Sequence, residues 1–382
     1  MLKRRFERKL KDMAEKFPII YVTGPRQSGK TTLCKQVFSG YRYVTLENPD
    51  QLRYATADPR GFLEDYHDKT IIDEAQNAPE LFSYLQGVVD ESGKTGQYIL
   101  TGSRNFLLHE KISQSLAGRA YVGQLLPFSF SELNKKYRQG LFTSIWRGGY
   151  PGIYDKKISP LDFFPSYVQS YLERDVRNVI KVRDLSLFAQ FLKLCAGRIG
   201  QEFNSSLIGS EIGLDHKTVR AWVSLLEASY ILYRLPPWQV NFNKRITKSP
   251  KLYFYDTGLA CYLLGIKNAD EVKTHFAKGA LFENYVVTEY LKDCRNKGQV
   301  ESAYFWRNNS GHEMDMLINT GKNLDIFEFK SSQTVRDDFF KGLNYFEKLA
   351  EKYTVHKNLI YGGNEKRRQY GTRVMPWNDL KF

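Results

Sequence analysis

The stretch Gly24-Pro25-Arg26-Gln27-Ser28-Gly29-Lys30-Thr31-Thr32 decides how the first part of this chain folds. Residues 24–31 fit the pattern G-x-x-x-x-G-K-[ST]; an apolar run precedes them and a helix-like run, 32–38, follows. Glycines let the backbone curl so that N–H groups point inward, and the next helix adds its positive N-terminal end. Residues 24–32 are therefore predicted to bind the phosphates of a nucleotide, with Lys30 reaching the β- and γ-phosphates.

Two adjacent carboxylates end a second apolar run, Thr70-Ile71-Ile72-Asp73-Glu74. In open parallel sheets, ligands bind at the carboxyl ends of the strands, so both acids are expected beside the loop. Asp73 is predicted to hold Mg²⁺ together with the Thr31 hydroxyl, and Glu74 to orient and deprotonate the attacking water. A strand with a solvated acidic end is the alternative, and it would be sufficient if the loop were absent.

A third apolar run, residues 98–100, ends in the small polar residues Thr101, Gly102 and Ser103. A hydroxyl at this position can lie between the loop and the acid pair, close to the γ-phosphate. Ser103 is the first candidate for that position and Thr101 is the alternate. The competing interpretation is a strand cap that takes no part in the chemistry.

The spacing of the apolar runs predicts the fold of this region. Runs at 19–22, 43–46, 70–72 and 98–100 are bounded by turn residues, and the stretches between them are long enough for crossover connections. Buried strands that alternate with helices indicate a parallel α/β sheet. Before the first run, apolar residues recur at spacings of three and four between Leu2 and Phe17, which predicts an amphipathic helix packed on the edge of the domain.

These motifs, in this order, resemble the AAA+ class of P-loop ATPases, in which a residue placed like Ser103 is called sensor 1. More specifically, the chain is similar to a prokaryotic family of AAA-type ATPases with a C-terminal domain of unknown function. The later motifs that carry this resemblance are Leu116-Ala117-Gly118-Arg119, Gly148-Gly149-Tyr150-Pro151 and Tyr171-Leu172-Glu173-Arg174-Asp175-Val176. The resemblance implies ATP and Mg²⁺ as cofactors and hydrolysis of ATP. It makes a homo-oligomer conceivable, while a monomer or dimer stays open.

Two arginines in these motifs are candidates for contact with phosphate. Arg119 follows the sensor strand, and its guanidinium would stabilise charge that develops on the γ-phosphate, either in cis or from a neighbouring subunit. A surface or inter-domain salt bridge explains Arg119 nearly as well. Arg174 lies between Glu173 and Asp175, which favours a structural ion pair.

Within residues 156–268 the sequence changes to a helical pattern, from Pro165 to about Tyr233, that predicts a helix-turn-helix. Ile208 and Ile212 fall on one helix, a turn follows at Gly213, and apolar residues repeat from Val219 to Leu226 on a second helix. Residues 232–255 would supply the strands of a wing. Such a domain inserts its second helix into the major groove of DNA, or it serves as a lid or a contact for a protein partner. Both uses stay open at this point.

The last domain, 269–382, carries four polar residues in a recognisable order. Glu283 lies on a predicted helix, Asp315 precedes an apolar strand, and Glu328 and Lys330 share one face of another strand. This order resembles the PD-(D/E)xK nuclease fold. Asp315 and Glu328, completed by Glu283, would ligate a divalent cation such as Mg²⁺, and Lys330 would position its water. Ordinary alternating charge is the alternative, and a related domain can keep these residues for binding without cleavage.

Composition limits the class of protein. The 382 residues include 56 Lys and Arg against 42 Asp and Glu, a net charge of +14. This surplus favours a polyanionic partner such as DNA, although a solvated basic surface would also account for it. No stretch approaches the ~18 uninterrupted apolar residues of a membrane span, and no secretory leader is visible. The scattered cysteines, Cys34, Cys195, Cys261 and Cys294, favour a reducing cytoplasm over a disulfide framework or a zinc site.

The sequence thus predicts an α/β protein of three domains. A P-loop AAA+ parallel-sheet domain spans 1–155, a helical and winged-helix domain spans 156–268, and an α/β nuclease-like domain spans 269–382. The expected function is Mg²⁺-dependent ATP binding and hydrolysis, acting on or with DNA. The alternative is an ATP-operated switch that hydrolyses slowly, contacts a protein through the winged-helix region and carries an inactive nuclease-like domain.

Overall fold

The computed structural model describes residues 2–103, 116–171, 176, 185–238, 249–380 and 382. The chain divides into two compact units. The first unit consists of Met1–Phe128, Ala228–Ile231 and Lys292–Val300, and the second of Ser129–Glu227, Leu232–Leu291 and Glu301–Phe382. This partition does not test the three-domain boundaries at 155 and 268, which stay a prediction.

A five-stranded parallel sheet forms the framework of the first unit. Its strands are β1 (Ile19–Thr23), β2 (Arg42–Thr45), β3 (Thr70–Asp73), β4 (Tyr98–Gly102) and β5 (Ala120–Gln124). They lie in the order β2-β3-β4-β1-β5, and every neighbouring pair is parallel. Because all five run in one direction, the residues that follow β1, β3 and β4 meet at one edge of the sheet, called the carboxyl edge below.

Alternating residues of β1 face two different cores. Ile20 and Val22 pack with the apolar face of the first helix, and Ile19 and Tyr21 belong to a second cluster. The helices of this unit are α1 (Glu7–Ala14), α2 (Lys30–Val37), α3 (Pro49–Ala57), α4 (Pro59–Asp65) and α5 (Leu81–Ser92). The predicted amphipathic helix is thus observed as α1, and the predicted parallel α/β sheet is confirmed.

The second unit begins with helices. They are α6 (Leu141–Arg147), α7 (Pro151–Asp155), α8 (Pro160–Tyr171), α9 (Leu185–Gly197), α10 (Ser205–Ile212) and α11 (His216–Ala228). Asn204 caps the start of α10, and Gly213 ends it in the left-handed conformation, with φ of 70°. The antiparallel pair β6 (Leu232–Leu235) and β7 (Lys251–Phe254) follows. The helices and the turn agree with the predicted helix-turn-helix, while the winged-helix assignment stays a prediction.

One motif of the family resemblance has a structural explanation. Asp256 caps α12 (Thr257–Leu263) by accepting the N–H groups of Gly258 and Leu259, and its other oxygen accepts the N–H of Gly149 at 2.7 Å. A Cβ at Gly148, where φ is +65°, would lie 2.1 Å from the same carboxylate. The paired glycines therefore permit a close approach to a buried carboxylate.

A mixed six-stranded sheet forms the rest of the second unit. Its strands are β8 (Ala303–Arg307), β9 (Glu313–Thr320), β10 (Asn323–Lys330), β11 (Thr354–Tyr361), β12 (Arg367–Gln369) and β13 (Thr372–Pro376). The order is β12-β13-β11-β10-β9-β8, with β10 parallel to β11 and antiparallel to β9. The remaining helices are α13 (Ala269–Thr274), α14 (Lys278–Lys297) and α15 (Lys341–Leu349).

Two further expectations concern membranes and cysteines. Within the described part of the chain, no helix combines the length and apolar character needed to cross a lipid bilayer.

All four cysteines are buried free thiols. Burial raises the pKa of the thiols of Cys34, Cys195 and Cys261 well above the usual range.

Candidate functional site

The predicted phosphate-binding loop connects β1 to α2 and is tightly curled. Gly24 has φ of +148°, and a Cβ there would lie 2.2 Å from the carbonyl oxygen of Leu125. Gly29 has φ of +90° and directly precedes α2. Both positions require glycine, because a side chain would collide with backbone at the first and strain the conformation at the second. Gln27 is also left-handed, with φ of 58°.

Polar groups of the loop point into its own curl. The ammonium of Lys30 donates to the carbonyl oxygens of Gly24 and Pro25, at 3.1 and 2.9 Å. Burial lowers the pKa of Lys30 to about 8, although Glu74 and Asp73 act in the opposite direction. The Ser28 hydroxyl oxygen is buried and finds no hydrogen-bond partner among the described residues. The loop therefore holds a buried cation and an unused hydroxyl where phosphate oxygens would accept hydrogen bonds.

The carboxylate of Asp73 accepts hydrogen bonds from three hydroxyl groups. Thr31 donates to Oδ1 at 2.8 Å and Thr101 donates to the same oxygen, while Tyr43 donates to Oδ2 at 2.9 Å. Burial and, next, the charge of Asp73 raise the pKa of Tyr43 to about 12, so its hydroxyl keeps its proton. The structure thus brings together Thr31 and Asp73, the two predicted ligands of the nucleotide's Mg²⁺.

Glu74 lies directly after β3 in the left-handed conformation, with φ of 52°, at the start of the short 3₁₀ turn Ala75–Asn77. Its Oε2 accepts hydrogen bonds from the Ser103 hydroxyl, at 3.3 Å, and from the side-chain amide of Gln76. Ser103 therefore lies beside the predicted base, and its alternate Thr101 lies beside the predicted metal ligand. Any side chain at Gly102 would meet the Gln76 amide oxygen at 2.5 Å.

Arg119 lies at the opposite edge of the sheet. It directly precedes β5, and its carbonyl oxygen accepts the N–H of Ile19, the first residue of β1. Gly24 is five residues farther along, which is about 16 Å at the usual rise of a strand. The guanidinium donates to both oxygens of Asp90, at 2.6 and 2.7 Å. Within its own chain, Arg119 is thus not brought to the loop, and a role in a neighbouring subunit stays a prediction. Arg174 lies outside the described residues.

The four residues predicted in the last domain, Glu283, Asp315, Glu328 and Lys330, lie close together, and Glu313 joins them. Glu283 on α14, Glu313 and Asp315 on β9, and Glu328 on β10 are called the acidic cluster below. One oxygen each of Glu283, Glu313 and Asp315 lies within 4.8 Å of the others. Asp315 accepts the backbone N–H of Phe329 at 2.7 Å, and Lys330 pairs with Glu328. Burial, and then the charges of Glu328 and Glu283, raise the pKa of Asp315 well above its usual range.

Lys251 contributes an ammonium to this cluster that the sequence did not predict. It begins β7, is 3% exposed, and donates to Glu283 Oε1 at 2.8 Å and to Glu313 Oε1. Burial lowers its pKa, but the surrounding acids, Glu283 foremost, outweigh burial and raise that pKa well above the usual value. Tyr253, also on β7, donates its hydroxyl to Glu283. A lysine inside the apolar run 251–255 is the one sequence signal that could have indicated this contact.

Two residues near the nucleotide loop were also missed. Tyr43 lies on β2, whose register with β3 pairs Thr45 with Asp73, and its hydroxyl reaches the carboxylate from that neighbouring strand. Gln76 follows Glu74 by two residues, but its contact with Glu74 depends on the turn at Ala75–Asn77. The geometry adds both side chains to the carboxyl edge of the sheet.

Parts of the chain match known protein families. Residues 16–134 match the family described as AAA domain. This part of the chain is similar to AAA domains, which supports a P-loop ATPase fold for it. Residues 138–270 and 278–380 match two domains of unknown function, DUF8612 and DUF4143. The AAA match supports ATP binding and hydrolysis, and the predicted fold class is confirmed. The winged-helix and nuclease-like assignments gain no support from these matches.

Two relatives match most of the chain. An uncharacterized protein of Mycobacterium tuberculosis is 28% identical over 331 residues, covering 85% of this chain and 73% of that protein. An uncharacterized protein of Mycobacterium bovis matches with the same values. Among solved structures, a Walker-type ATPase of Pyrococcus abyssi has a TM-score of 0.45 at 16% identity, covering 68% of this chain and 94% of that one.

Proposed function

We propose that this protein binds ATP with Mg²⁺ and hydrolyses it at the carboxyl edge of the first unit's sheet. The observation that carries the proposal is the meeting of the loop with the acid pair: Thr31 donates to Asp73 at 2.8 Å, and Glu74 is held beside them by Ser103. The three elements come from β1, β3 and β4, which are neighbours in the sheet.

The residues fit a nucleotide and its metal. The curled backbone, the Lys30 ammonium and the unused Ser28 hydroxyl are hydrogen-bond donors for phosphate oxygens. Thr31 and Asp73 offer the hard oxygen ligands that Mg²⁺ prefers. When bound, Mg²⁺ neutralises charge on the β- and γ-phosphate oxygens.

In this proposal each side chain has a distinct task. Lys30 compensates charge on the β- and γ-phosphates, and Glu74 orients the attacking water and takes its proton. Ser103 fixes the Glu74 carboxylate and directly follows β4, the strand next to β1, so it would face the γ-phosphate. Residues Pro25, Arg26, Gln27 and Thr32 shape the loop and its exit into α2.

The decisive experiment replaces Glu74 with Gln in the full chain. ATP turnover is expected to fall by about 10²–10⁴, the usual contribution of a general base, while ATP binding by calorimetry persists. Glu91→Gln, at an exposed position on α5, is the matched control and should change neither quantity. Wild-type turnover in Glu74→Gln would dismiss Glu74 as the base.

We further propose that the polyanionic partner is DNA, bound through α11. Lys217 and Arg220 are exposed on this helix, whereas Val219 and Val223 are buried, so the basic residues face outward. The net charge of +14 favours the same class of partner. Basic residues on the second helix of a helix-turn-helix contact phosphates in the grooves of DNA.

Retention on duplex DNA tests this partner. Affinity should fall steeply with salt, and the double variant Lys217→Ala/Arg220→Ala should reduce the slope of log K against log salt by roughly two. The pair Lys348→Ala/Lys352→Ala, exposed near the end of the last helix, changes net charge equally and serves as the control. No retention even at low salt would refute DNA and favour the second candidate.

The second candidate is an ATP-operated switch that hydrolyses slowly and contacts a protein partner through residues 156–268. The geometry of Glu74 favours it, because Oε2 already accepts two hydrogen bonds, from Gln76 and Ser103. Proton transfer to Oε2 would displace one of these donors, so the two hydrogen bonds oppose general-base catalysis at that oxygen. Slow turnover that rises in Gln76→Ala would support the switch, and turnover that falls would support the faster enzyme.

A further inference from the structure

The acidic cluster is enclosed around a buried ammonium. Lys251 is 3% exposed, and its nitrogen bridges Glu283 and Glu313, which lie on different elements. The same ammonium lies 5.4 Å from the centre of the Phe305 ring, a favourable cation–π contact. Burying an ammonium is unfavourable unless the charge is paired, and here the pairing is supplied by two carboxylates.

The backbone of Lys251 is fixed from both sides. Its strand pairs with β6, where Lys251 lies opposite Leu235. On the other side, the next residue, Leu252, exchanges hydrogen bonds with the segment 200–201: the Gly200 N–H donates to its carbonyl at 2.8 Å, and its own N–H donates to Gln201 at 3.0 Å. The backbone that carries Lys251 is therefore hydrogen-bonded along both edges of β7.

Every member of the cluster already has a donor from this chain. Glu283 accepts from Lys251 and Tyr253, and Glu313 accepts from Lys251. Asp315 accepts a backbone N–H, and Glu328 is paired with Lys330. A divalent cation between Glu283, Glu313 and Asp315 would stand next to the Lys251 ammonium, and two like charges at contact distance in a poorly hydrated site repel strongly.

We propose that Lys251 is the resident cation of the acidic cluster, in the position that a divalent metal would take in a nuclease-like site. The ammonium joins the segment before residue 256 to the C-terminal sheet, and the cluster does not use Mg²⁺ to cleave phosphodiesters. This inference concerns the second unit and does not depend on ATP hydrolysis.

The test replaces Lys251 with Met in the full chain and measures binding of Mn²⁺ alone, without nucleotide. The wild-type protein should show no Mn²⁺ binding that depends on Asp315, so that Asp315→Asn leaves its isotherm unchanged. Lys251→Met should gain a Mn²⁺ site at least ten times tighter than any in the wild type, and adding Asp315→Asn should abolish it. Lys357→Met is the matched control, because Lys357 is also a largely buried lysine, paired with Glu347 on α15, and it should gain no site.

Three outcomes would overturn the proposal. The first is wild-type Mn²⁺ binding that weakens tenfold or more in Asp315→Asn. The second is wild-type cleavage of plasmid DNA with Mn²⁺ that Asp315→Ala abolishes. The third is a Lys251→Met protein that keeps the circular dichroism and melting profile of the wild type and yet gains no site. If Lys251→Met does not fold, the comparison of wild type with Asp315→Asn decides alone, because Asp315-dependent binding contradicts the proposal and its absence supports it.

Discussion

The three hydroxyls on Asp73 allow burial to be tested as the factor that sets the strength of a hydrogen bond. Tyr43→Phe removes the bond to Oδ2, and Thr101→Val removes a bond to Oδ1. Tyr43 is 37% exposed, whereas Thr101 is fully buried. Both variants keep the Thr31 hydroxyl, so they differ chiefly in whether water can replace the missing donor.

The expected magnitudes follow from that difference. A hydrogen bond to a charged group contributes about 1.5–3 kcal/mol, and the Thr101 bond should have this full value because no water can enter. At Tyr43, water restores part of the interaction, which leaves about 0.5–1 kcal/mol. If the whole loss falls on the geometry that holds Mg²⁺, the metal requirement rises roughly 10- to 150-fold for Thr101→Val and roughly 2- to 5-fold for Tyr43→Phe.

The assay is a Mg²⁺ titration of ATP turnover at saturating ATP. Tyr41→Phe is the control, because the Tyr41 hydroxyl donates to the carbonyl oxygen of Gly96, away from Asp73. It should leave the half-saturating Mg²⁺ concentration unchanged. A Tyr43→Phe shift equal to or larger than that of Thr101→Val would refute the reasoning from burial, and a shift in Tyr41→Phe would show that the assay reports general damage.

Two further predictions concern the loop and Arg119. Gly24→Ala places a Cβ 2.2 Å from a backbone oxygen, so ATP affinity should fall at least tenfold and the melting temperature should drop. The control Gly40→Ala, whose Cβ would have nothing within 4 Å, should change neither quantity. Wild-type ATP affinity in Gly24→Ala would show that the tightly curled loop is not needed for binding. Arg119→Ala should keep wild-type ATP turnover at dilutions where chains do not associate, because Arg119 is paired with Asp90 at the other edge of the sheet. A tenfold loss of turnover under those conditions would place Arg119 in the chemistry of its own chain.

The meeting of Thr31 and Asp73 could be predicted although 42 residues separate them. Parallel strands place their following residues at one edge, so the strand pattern alone brings the two motifs together. Tyr43 and Gln76 could not be predicted in the same way. The Tyr43 contact depends on the register between two strands, and the Gln76 contact on the left-handed conformation of Glu74, and a hydrophobic pattern specifies neither.

Arg119 was predicted near the phosphate-binding loop because the strand that follows it, β5, was not recognised in the sequence. Residues 120–124 form β5, parallel to β1, but only Ala120, Tyr121 and Val122 are apolar, and this short run is not among the predicted strands. Residues before a parallel strand lie at the edge opposite to those that follow one. Recognition of β5 would have removed Arg119 from the site in cis, since the phosphate-binding loop follows β1 and Arg119 precedes its neighbour.

The acidic cluster shows that a set of convergent acids does not by itself specify a metal site. The positions of Asp315 and Glu328 on adjacent antiparallel strands predict that their carboxylates meet, and the structure agrees. The counter-charge, however, comes from a strand 32 residues before Glu283, within an apolar run that indicates only burial. Burial of an ammonium is unfavourable unless it is paired, so a lysine in a buried strand indicates a nearby acid. Without Lys251 the same acids would be able to bind a divalent cation, whereas with Lys251 they are paired with an ammonium. The net charge of the whole cluster, rather than its acids alone, therefore decides whether it can hold a divalent cation.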